Sequence, residues 1–410
     1  MDEAKAKALH DAPQAAAATP WGLLFLLMAM TSIGPTSLNV LVPAVPQLAR
    51  KLGAEIATLQ LTVSLFLVGL AFAQLVMGPL SDRFGRRPVL LAGMALTAAA
   101  SLLAIVMSTA ESLIVMRVLQ AVGASTGVVV GRAIIRDLFD RERAASMIGL
   151  VATVMVVVPT FGPLIGGVLD TAFGWEAIFV FTAASSVAVL IWIAITLPET
   201  RGLNVPPGAP ANFRRDLAAL ARSASFAGYV LVAAFGSATF FAFLGGGPHV
   251  VVTLMERSSA EYGVWFAASS IGYMAGNFAA SRLSMQHGID KLIWWGIGIE
   301  IFGVAMSVAL TAFAMHWGPV IVFLPQAIIS LGNGVLLPGA ISGAVSVRPQ
   351  AAGTAAGITG CTQMALGAAV TQFSGMLLAG ADSALPIAMI MVVLVLSCAA
   401  ACAILCRRSR

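Results

Sequence analysis

The sequence predicts an all-α polytopic membrane protein with twelve transmembrane helices in two six-helix halves. Three observations predict this class: 59% of the 410 residues are apolar and only 10% are charged, the apolar residues form long continuous runs, and Lys and Arg concentrate in alternate loops. A soluble domain carries about 25% charged residues. Too few polar side chains are therefore present to cover a water-soluble particle, and the lipid bilayer is the expected environment.

The number of spans follows from the length of the apolar runs. A helix needs about 20 apolar residues to cross a hydrocarbon core ~30 Å thick. Division at charges and at Pro and Gly clusters gives six spans in the first half, 21–45, 58–80, 88–107, 112–135, 145–169 and 176–197. Six more follow in the second half, 226–254, 262–285, 292–314, 319–345, 352–378 and 385–406. Continuous runs indicate helices, whereas the strands of a β-barrel are short and alternate.

The distribution of basic residues predicts the orientation of the chain. Of the 23 Lys and Arg residues, nineteen lie in segments on the same side as both termini, three lie on the opposite side, and Arg117 lies inside a span. Because cytoplasmic loops carry an excess of Lys and Arg, both termini are predicted to be cytoplasmic. These loops also account for the net charge of +5, so nucleic acid is not an expected partner.

Charged and Pro-rich segments mark the predicted domain boundaries. The divisions are a cytoplasmic tail 1–20, an N-terminal half 21–197, a cytoplasmic linker 198–225, a C-terminal half 226–406 and a basic cytoplasmic tail 407–410. The first apolar run is too long for a cleaved signal peptide, and no small-residue cleavage site follows it. This run is therefore interpreted as the first span.

The loop between the second and third spans combines acidic, basic and glycine residues, and reads Gly78-Pro79-Leu80-Ser81-Asp82-Arg83-Phe84-Gly85-Arg86-Arg87. The equivalent loop after the eighth span contains the related Ala280-Ser281-Arg282-Leu283. Such similarity at matching loops favours two duplicated halves around a central cleft. Asp82 can take part in a charge latch that is made in one conformation and broken in the other. The alternative is anchoring of the loop by its positive charge, which explains the arginines but not Asp82 or the glycines.

The only basic residue well inside a span is Arg117. An arginine at mid-membrane is unfavourable by about 2.5 to 3.5 kcal/mol, so we expect it to face a water-filled cavity. Gln120 continues its helical face, and Asn39, at a similar depth on the first span, is expected opposite it. The alternative is that Arg117 snorkels outward or braces neighbouring helices. The predicted cavity wall comprises Asn39, Arg117, Gln120, Phe240, Phe243, His249 and Asn333.

Two titratable residues within spans are candidates for proton coupling. Glu300 lies midway along the ninth span with small residues on its face, so its carboxyl is expected to point at packed protein and to exchange a proton when its hydration changes. His249 follows three glycines and Pro248 in the seventh span, and histidine titrates near neutral pH. The alternatives are a permanently protonated carboxyl bonded to a neighbouring helix and a hydrogen-bonded structural histidine.

Prolines and glycines are closely spaced in the fifth span, in the order Pro159-Thr160-Phe161-Gly162-Pro163-Leu164-Ile165-Gly166-Gly167. Prolines kink a helix, and glycines offer a flat surface against which another helix can pack closely. We therefore expect a seam here of the kind that a pivoting helix needs.

Patterns that would indicate catalysis or metal binding are weak. Residues 123–127 match the G-x-S-x-G pattern of hydrolases, but they fall within a predicted helix without a nearby His, so no enzymatic activity is expected. The sequence contains no phosphate-binding loop for ATP. Cys398, Cys402 and Cys406 share one face of the last span, where packing is a sufficient explanation. Neither a cofactor nor a metal is predicted.

Together these motifs resemble the major facilitator superfamily, and within it the drug/proton antiporters that include the bicyclomycin and chloramphenicol/florfenicol exporters. Loop 78–87 matches the signature of the superfamily, Arg117 with Gln120 matches its fourth-helix arginine motif, and 162–167 match the fifth-helix antiporter motif. The resemblance extends along the whole chain and implies the major facilitator fold, with two pseudo-symmetric halves. Val158 departs from the pattern, because the antiporter motif usually opens with Gly.

The resemblance also implies roles for these residues. The loop would act as a cytoplasmic gate that stabilises the outward-facing state, through Gly78, Asp82, Arg83, Gly85, Arg86 and Arg87. The antiporter motif marks exporters, through Pro159, Gly162, Pro163, Gly166 and Gly167. Members commonly carry an acidic proton- or cation-recognition residue where this chain has Asn39, which cannot titrate. Either proton coupling depends on another residue of this chain, or the substrate is neutral or anionic.

The sequence thus predicts a secondary active transporter of the bacterial inner membrane, a proton-coupled multidrug exporter that works by alternating access. Its expected partners are the lipid bilayer, small amphipathic substrates and protons, and the expected state is a monomer. The alternative is a proton-coupled exporter or importer of a small anionic metabolite, with Arg117 as the counter-charge.

Overall fold

A computed structural model describes residues 20–139, 141–201, 220–313, 317–348, 351–378 and 381–405. Over these residues the chain forms twelve long helices, and the predicted all-α class is confirmed. Most of the predicted N-terminal tail, most of the predicted linker and the basic C-terminal tail lie outside the described residues.

Six helices form the first half of the chain. α1 consists of Pro20–Leu41, a 3-10 turn Val42–Ala44 and a second segment Val45–Leu52. The others are α2 Ile56–Phe84, α3 Arg86–Ile105, α4 Ala110–Leu138, α5 Arg141–Phe173 and α6 Glu176–Thr196.

The second half begins with α7, which consists of Ala224–Pro248 and a π-helical turn His249–Leu254. It continues with α8 Ser259–His287, α9 Ile289–Phe313, α10 Val320–Ser346, α11 Ala352–Leu378 and α12 Leu385–Leu405. The twelve helices coincide with the twelve predicted spans, and all ends but one agree within four residues.

The exception is α1, which is predicted to end at residue 45 and continues to Leu52. Pro43 and Pro46 interrupt the predicted span, but each stands in the first turn of a helical segment, where the missing N–H costs no hydrogen bond. The helix therefore resumes after the 3-10 turn. It ends at Gly53, whose φ of +61° suits a glycine cap.

The helices pack in two related sets. The pairs α1–α5, α2–α4, α3–α4 and α3–α6 of the first half recur in the second half as α7–α11, α8–α10, α9–α10 and α9–α12. The two most extensive pairs that cross between the halves, α5–α8 and α2–α11, are related by the same shift of six helices. The architecture is therefore duplicated and pseudo-symmetric.

Nine of the described helices are long and apolar enough to cross a membrane, judged by length and composition. α8 and α11 fall below this apolar content, and α5 contributes the apolar stretch Val157–Phe173. All three take part in the contact between the halves. Small and weakly polar residues are frequent in α8 and α11 because a helix that packs against protein needs less lipid-facing apolar surface.

The apolar core differs between the two ends of the bundle. We call the end at which α1 starts and α12 finishes the termini side, and the opposite end the far side. On the far side one buried cluster joins both halves, from Leu48 and Phe66 to Phe243. On the termini side the first half packs around Met94 and the second half around Ile297, in separate clusters. Among the residues that the structure describes, the halves are thus sealed together on the far side only.

Candidate functional site

The far-side seal includes a seam in which α5 lies between α1 and α8. Gly166 packs against the backbone of Val40 on α1, and Gly167 packs against the backbone of Ser259 on α8. A Cβ at either glycine would overlap main-chain atoms, which cannot move independently of their helix. Glycine is therefore required at both positions for α5 to contact the two halves at once.

Uncharged hydrogen bonds close this seam at the start of α8. Ser259 donates its hydroxyl to the Pro43 carbonyl at 3.1 Å and accepts from the Gln47 side-chain amide at 3.0 Å. The Ala260 amide donates to the Thr171 hydroxyl at 3.1 Å. These bonds fix α1 and α5 of the first half to α8 of the second.

The second seam, between α2 and α11, depends on Gln372. Its amide donates to the Ala57 carbonyl at 2.9 Å, and its side-chain carbonyl accepts from the Ser64 hydroxyl at 2.9 Å. Gly375, one turn later, packs against Gln60. Neither seam contains an ion pair between the halves, because every ion pair in the described part of the chain lies within one half.

The signature loop lies on the termini side and is held by Arg86. Its guanidinium donates to Asp137 on α4 at 2.9 Å and to the Ser81 hydroxyl at 2.7 Å, and it forms an ion pair with Asp82. The Arg86 and Asp137 side chains are both largely buried, and charge-assisted bonds of this kind are stronger than neutral ones. The loop therefore ties α2, α3 and α4 together.

Glu199, just after α6, completes the loop. Its carboxylate accepts from the backbone amides of Arg86 at 2.8 Å and Arg87 at 3.2 Å, which are free donors at the start of α3. Gly85, with a φ of +104°, leaves space for this carboxylate, since a Cβ there would lie 2.6 Å from Glu199 Oε2. Glutamate and glycine are thus matched at this corner.

The other residues of the loop also bind within the first half. Arg87 donates to the Ala194 carbonyl at 2.7 Å, and the Arg83 carbonyl accepts from Arg201 at 2.7 Å. Gly78 lies on the last turns of α2. In this conformation the described contacts of the predicted gate residues hold the first half together and do not join it to the second.

Arg117 is enclosed within the first half. Its guanidinium donates to the Thr62 carbonyl at 3.2 Å, to the Ser37 carbonyl at 3.0 Å and to Gln120 Oε1 at 2.7 Å. It also lies 4.3 Å from the centre of the Phe66 ring, a cation–π distance. Only 1% of the residue is exposed. The expectation of a water-filled cavity at Arg117 is therefore wrong for this conformation, and the geometry is that of a brace between helices.

Asn39 does not lie opposite Arg117, in contrast to the sequence-based expectation. Ser37 takes that position and accepts from the guanidinium through both its carbonyl and its hydroxyl. Asn39 instead packs against Gly162 on α5 and donates its amide to the Pro35 carbonyl at 2.8 Å. The polar residue predicted for the cavity thus belongs to the contact between α1 and α5.

The candidates in the second half are separated from Arg117. Asn333 is buried on α10 and donates its amide to the Thr239 hydroxyl at 2.8 Å. His249 is buried in the π-helical turn of α7. Phe240 and Phe243 join an aromatic cluster in which α7, α8 and α10 meet, formed with Phe241, Tyr262, Trp265, Phe266 and Phe323.

The predicted wall residues therefore form two groups instead of one open cavity in this conformation. Arg117 and Gln120 stand in the first half, where Gln120 also donates to the Ser101 hydroxyl on α3 at 2.6 Å. Asn333 and the phenylalanines stand in the second half. Their role as the wall of one substrate cavity stays a prediction, and it applies to a conformation in which the two halves have moved relative to each other.

Glu300 is completely buried in the contact between α9 and α10. Its side chain packs against Gly332, where a Cβ would lie 2.6 Å from Glu300 Cγ. Neither carboxyl oxygen has a hydrogen-bond partner among the described residues. The carboxyl points at packed protein, as the small residues on its helical face predict.

The G-x-S-x-G pattern lies in the middle of α4. The Ser125 hydroxyl donates to the Val122 carbonyl of its own helix at 2.7 Å. A hydrolase needs this serine on a sharp turn between a strand and a helix, and the residues here are continuous helix.

A duplicated bundle of twelve helices sealed at one end is a transporter architecture, and residues 21–372 match the Major Facilitator Superfamily. The chain belongs to this superfamily. Its members are generally transporters and not enzymes, and this protein is accordingly a polytopic membrane transporter of small substrates.

Similar proteins include several that are named for drug resistance. The chain is 29% identical to Multidrug resistance protein D of Escherichia coli (strain K12) over 356 residues, which cover 87% of this chain and 89% of that protein. It is 30% identical to a Chloramphenicol resistance protein of Pseudomonas aeruginosa, over 82% and 80% of the two chains. It is 26% identical to a Bicyclomycin resistance protein homolog of Haemophilus influenzae, over 83% and 85%.

Solved structures agree with the fold. A bacterial homolog of the human lysosomal transporter Spinster, in an inward-facing and unoccupied conformation, superposes with a TM-score of 0.75 and 16% sequence identity. The match covers 96% of this chain and 98% of the other. The superposition supports the major facilitator fold along nearly the whole chain.

Proposed function

We propose that this protein is a proton-coupled multidrug exporter of the bacterial inner membrane that works by alternating access. The observation that carries the proposal is the division of the core into one shared cluster on the far side and two separate clusters on the termini side. Halves that are packed separately at one end can rock about the contact that they share at the other end. Such a movement closes the separated end and opens the sealed end in turn.

The orientation rests on the excess of Lys and Arg in the loops of the termini side, which we place in the cytoplasm. With this orientation the structure is an inward-facing conformation that is closed to the outside. The signature loop then lies at the cytoplasmic end. Its proposed role as a gate belongs to the outward-facing conformation, in which the two halves meet at that end.

Drug-like substrates are supported by two observations. Three relatives that each cover more than 80% of the chain are named for resistance to chloramphenicol, to bicyclomycin or to several drugs. The aromatic cluster of the second half, at the meeting of α7, α8 and α10, offers ring surfaces that suit flat amphipathic compounds when the halves separate.

An anionic metabolite is the second candidate, and it receives less support. It requires Arg117 as a counter-charge, yet this guanidinium already bonds to Ser37, Thr62 and Gln120. Its second terminal nitrogen has no hydrogen-bond partner among the described residues, but it is buried, so an anion would have to enter a closed site in order to reach it. The drug-like class is therefore the better fit.

Glu300 is the proposed proton carrier. A carboxylate without a hydrogen-bond donor is costly inside a protein, so Glu300 is expected to hold a proton in this conformation and to release it when water reaches α9. His249 is the second choice, because it lies in the sealed far side, away from the separated end.

Exchange can be tested with the purified protein in lipid vesicles that enclose a pH-sensitive dye, with chloramphenicol as the first substrate. Drug movement is expected to drive protons in the opposite direction, with no such signal in vesicles without protein. Drug transport without proton movement would contradict the coupling. Faster transport of an organic anion than of neutral drugs would favour the second candidate.

Glu300→Gln tests the proton carrier in the same vesicles. The substitution keeps the size of the side chain and removes the titratable proton, so the drug-dependent proton flux is expected to fall to the background. Glu111→Gln, at an exposed acid in the first turn of α4, is the matched control and should keep the native flux. Native flux in Glu300→Gln would remove Glu300 as the carrier.

A further inference from the structure

A carboxyl group is buried in the far-side seal without a hydrogen-bond donor. Asp170 stands on α5 one turn after Gly166, where α5 meets α1 and α8, and it is only 4% exposed. Neither of its carboxyl oxygens has a hydrogen-bond partner among the described residues. A carboxylate in this position loses its water shell and gains no bond in return.

The neighbouring hydroxyl explains why no donor is available. Asp170 faces Ser259 on α8, whose hydroxyl lies within reach of the carboxyl but not in hydrogen-bond geometry with it. The single hydroxyl proton of Ser259 is directed to the Pro43 carbonyl, and one lone pair of its oxygen accepts from Gln47. The remaining lone pair can only accept a hydrogen bond. The site therefore suits a carboxylic acid, which can donate, and does not suit a carboxylate.

The charged groups around Asp170 are divided in sign. Arg50 on α1 attracts a carboxylate at this position and Glu176 on α6 repels it. Lys51 forms an ion pair with Glu176, which weakens both of their effects on Asp170. The charges of α1 and α6 therefore provide no dedicated partner for the carboxylate.

On α8, the charged residue nearest the seam is Glu261, which is paired with Arg257 at 4.0 Å. Glu261 is also the N-terminal acid of its helix, where its backbone amide bonds to Ser258. Both charges of this pair are thus engaged with each other, and α8 offers Asp170 the Ser259 hydroxyl alone.

A surface pocket of about 400 Å³ gives protons access to this position from the far side. Its volume is sufficient for several water molecules, each of which occupies about 30 Å³ in the liquid. The residues that line it are Gln47, Arg50, Lys51, Asp170, Gly174, Trp175 and Glu176.

We propose that Asp170 is a proton-binding site of the outer gate, which takes up a proton when the far side closes and returns it when the far side opens. On closure a proton from the outer solution adds to one carboxylate oxygen, and the new hydroxyl donates to Ser259. On opening, Ser259 departs with α8, water reaches the carboxyl, and the proton returns to the outer solution. The inference rests on the proposed orientation and adds to the proposed proton coupling a second site, separate from Glu300.

The sign of the pH dependence follows directly. The closed state holds one proton more than the open state, so a rise in pH favours opening of the far side. Asp170 titrates at a lower pH in the open state than in the closed state. Over the pH range between these two titrations, the ratio of closed to open protein is expected to fall about tenfold for each pH unit.

Spin labels on either side of the seal can test this expectation in full-length protein in lipid nanodiscs. Suitable exposed positions are Glu55, between α1 and α2, and Asp382, between α11 and α12, each changed to Cys in a chain without its native cysteines. The distance between the labels is measured as a function of pH in the absence of substrate. The far side is expected to open as the pH rises.

Asp170→Asn carries no charge at any pH and is expected to keep the far side closed throughout the titration. Asp170→Glu restores a titratable group and is expected to restore the pH dependence with a shifted midpoint. Glu261→Gln, an acid at the same end of the molecule, is the matched control and should titrate as the native protein does. Thermal unfolding of each variant verifies that the fold is retained.

A native pH dependence in Asp170→Asn would overturn the inference, and so would a native protein whose label distance does not change with pH. Because the measurement uses no substrate, failure of chloramphenicol exchange would leave its result unaffected. Conversely, intact drug/proton exchange together with an unaltered pH response in Asp170→Asn would refute the outer proton site alone.

Discussion

The two ends of the interface between the halves are held by different kinds of contact. On the far side, glycines such as Gly166 bring backbones together, and Ser259 and Gln372 add uncharged hydrogen bonds. On the termini side, the charges of the signature loop are satisfied by Asp137 and Glu199 within the first half. Uncharged groups bond to water when they separate, whereas a charge that lost a buried partner would be costly. The sealing end is therefore made mainly of contacts that can open cheaply.

Gly166→Val is expected to have the largest effect, because it acts on the closest backbone contact of the far side. The added side chain would overlap Val40, and overpacking of this kind costs about 1 to 3 kcal/mol or more. The far side should then fail to close, and transport of chloramphenicol into vesicles should fall to the background. The distance between labels at positions 55 and 382 would report the open far side directly.

Gly298→Val is the matched control, since Gly298 on α9 has open space where a Cβ would be placed. This variant should transport at the native rate. Native transport in Gly166→Val would mean that the α1–α5 contact does not limit closure, and the distinction between the two ends would lose its main support.

Gly85→Ala tests the termini side and is expected to have an intermediate effect. Its φ of +104° disfavours any side chain, and a Cβ would displace the Glu199 carboxylate from the start of α3. The related corner between α8 and α9 has Gly288, with a φ of +78° and nothing nearby. Gly288→Ala should therefore cost only the backbone strain, about 1 to 2 kcal/mol, and Gly85→Ala should cost more.

The melting temperatures of the two alanine variants measure this difference. Equal losses of stability would show that the contact between Gly85 and Glu199 contributes nothing beyond backbone strain. A larger loss in Gly85→Ala that disappears in the background of Glu199→Ala would assign the extra cost to the carboxylate.

The fold could be predicted from the sequence because membrane spans are long and continuous, and the charges between them alternate. The site was harder to predict, as α1 illustrates. Depth in the membrane predicts that Asn39 lies near Arg117. In the structure Ser37, two residues earlier on the same helix, faces the guanidinium instead. Residues two apart on a helix point in nearly opposite directions. An argument from depth alone cannot choose between them.

The missed partners show a second limit. Asp137 and Glu199 bind Arg86 and the start of α3 from the ends of two other helices, and which helix ends meet is decided by tertiary packing. The available signal is that both acids follow predicted spans on the same side as the basic loop. Asp170 lies one residue beyond the predicted fifth span, so the span pattern does not mark it as an intramembrane acid.

Ser64→Ala is expected to have the smallest effect. It removes one of the two hydrogen bonds of Gln372 and leaves the bond to Ala57, at a cost of about 0.5 to 1.5 kcal/mol. The closed fraction of the far side should fall a few-fold in the label measurement. Ser281→Ala, which removes a bond within α8, should change nothing, and a loss equal to that of Ser64→Ala would contradict a specific role for the α2–α11 seam.

The lower apolar content of α8 and α11 also has a consequence for biogenesis. A nascent segment leaves the translocon for lipid according to its apolar content, and small, weakly polar residues give it little preference for lipid. α8 and α11 pack against α5 and α2, which are synthesised earlier. Their stable insertion therefore depends on neighbours that are already in place. The surfaces that separate in the proposed transport cycle are the ones that recruit late helices during synthesis.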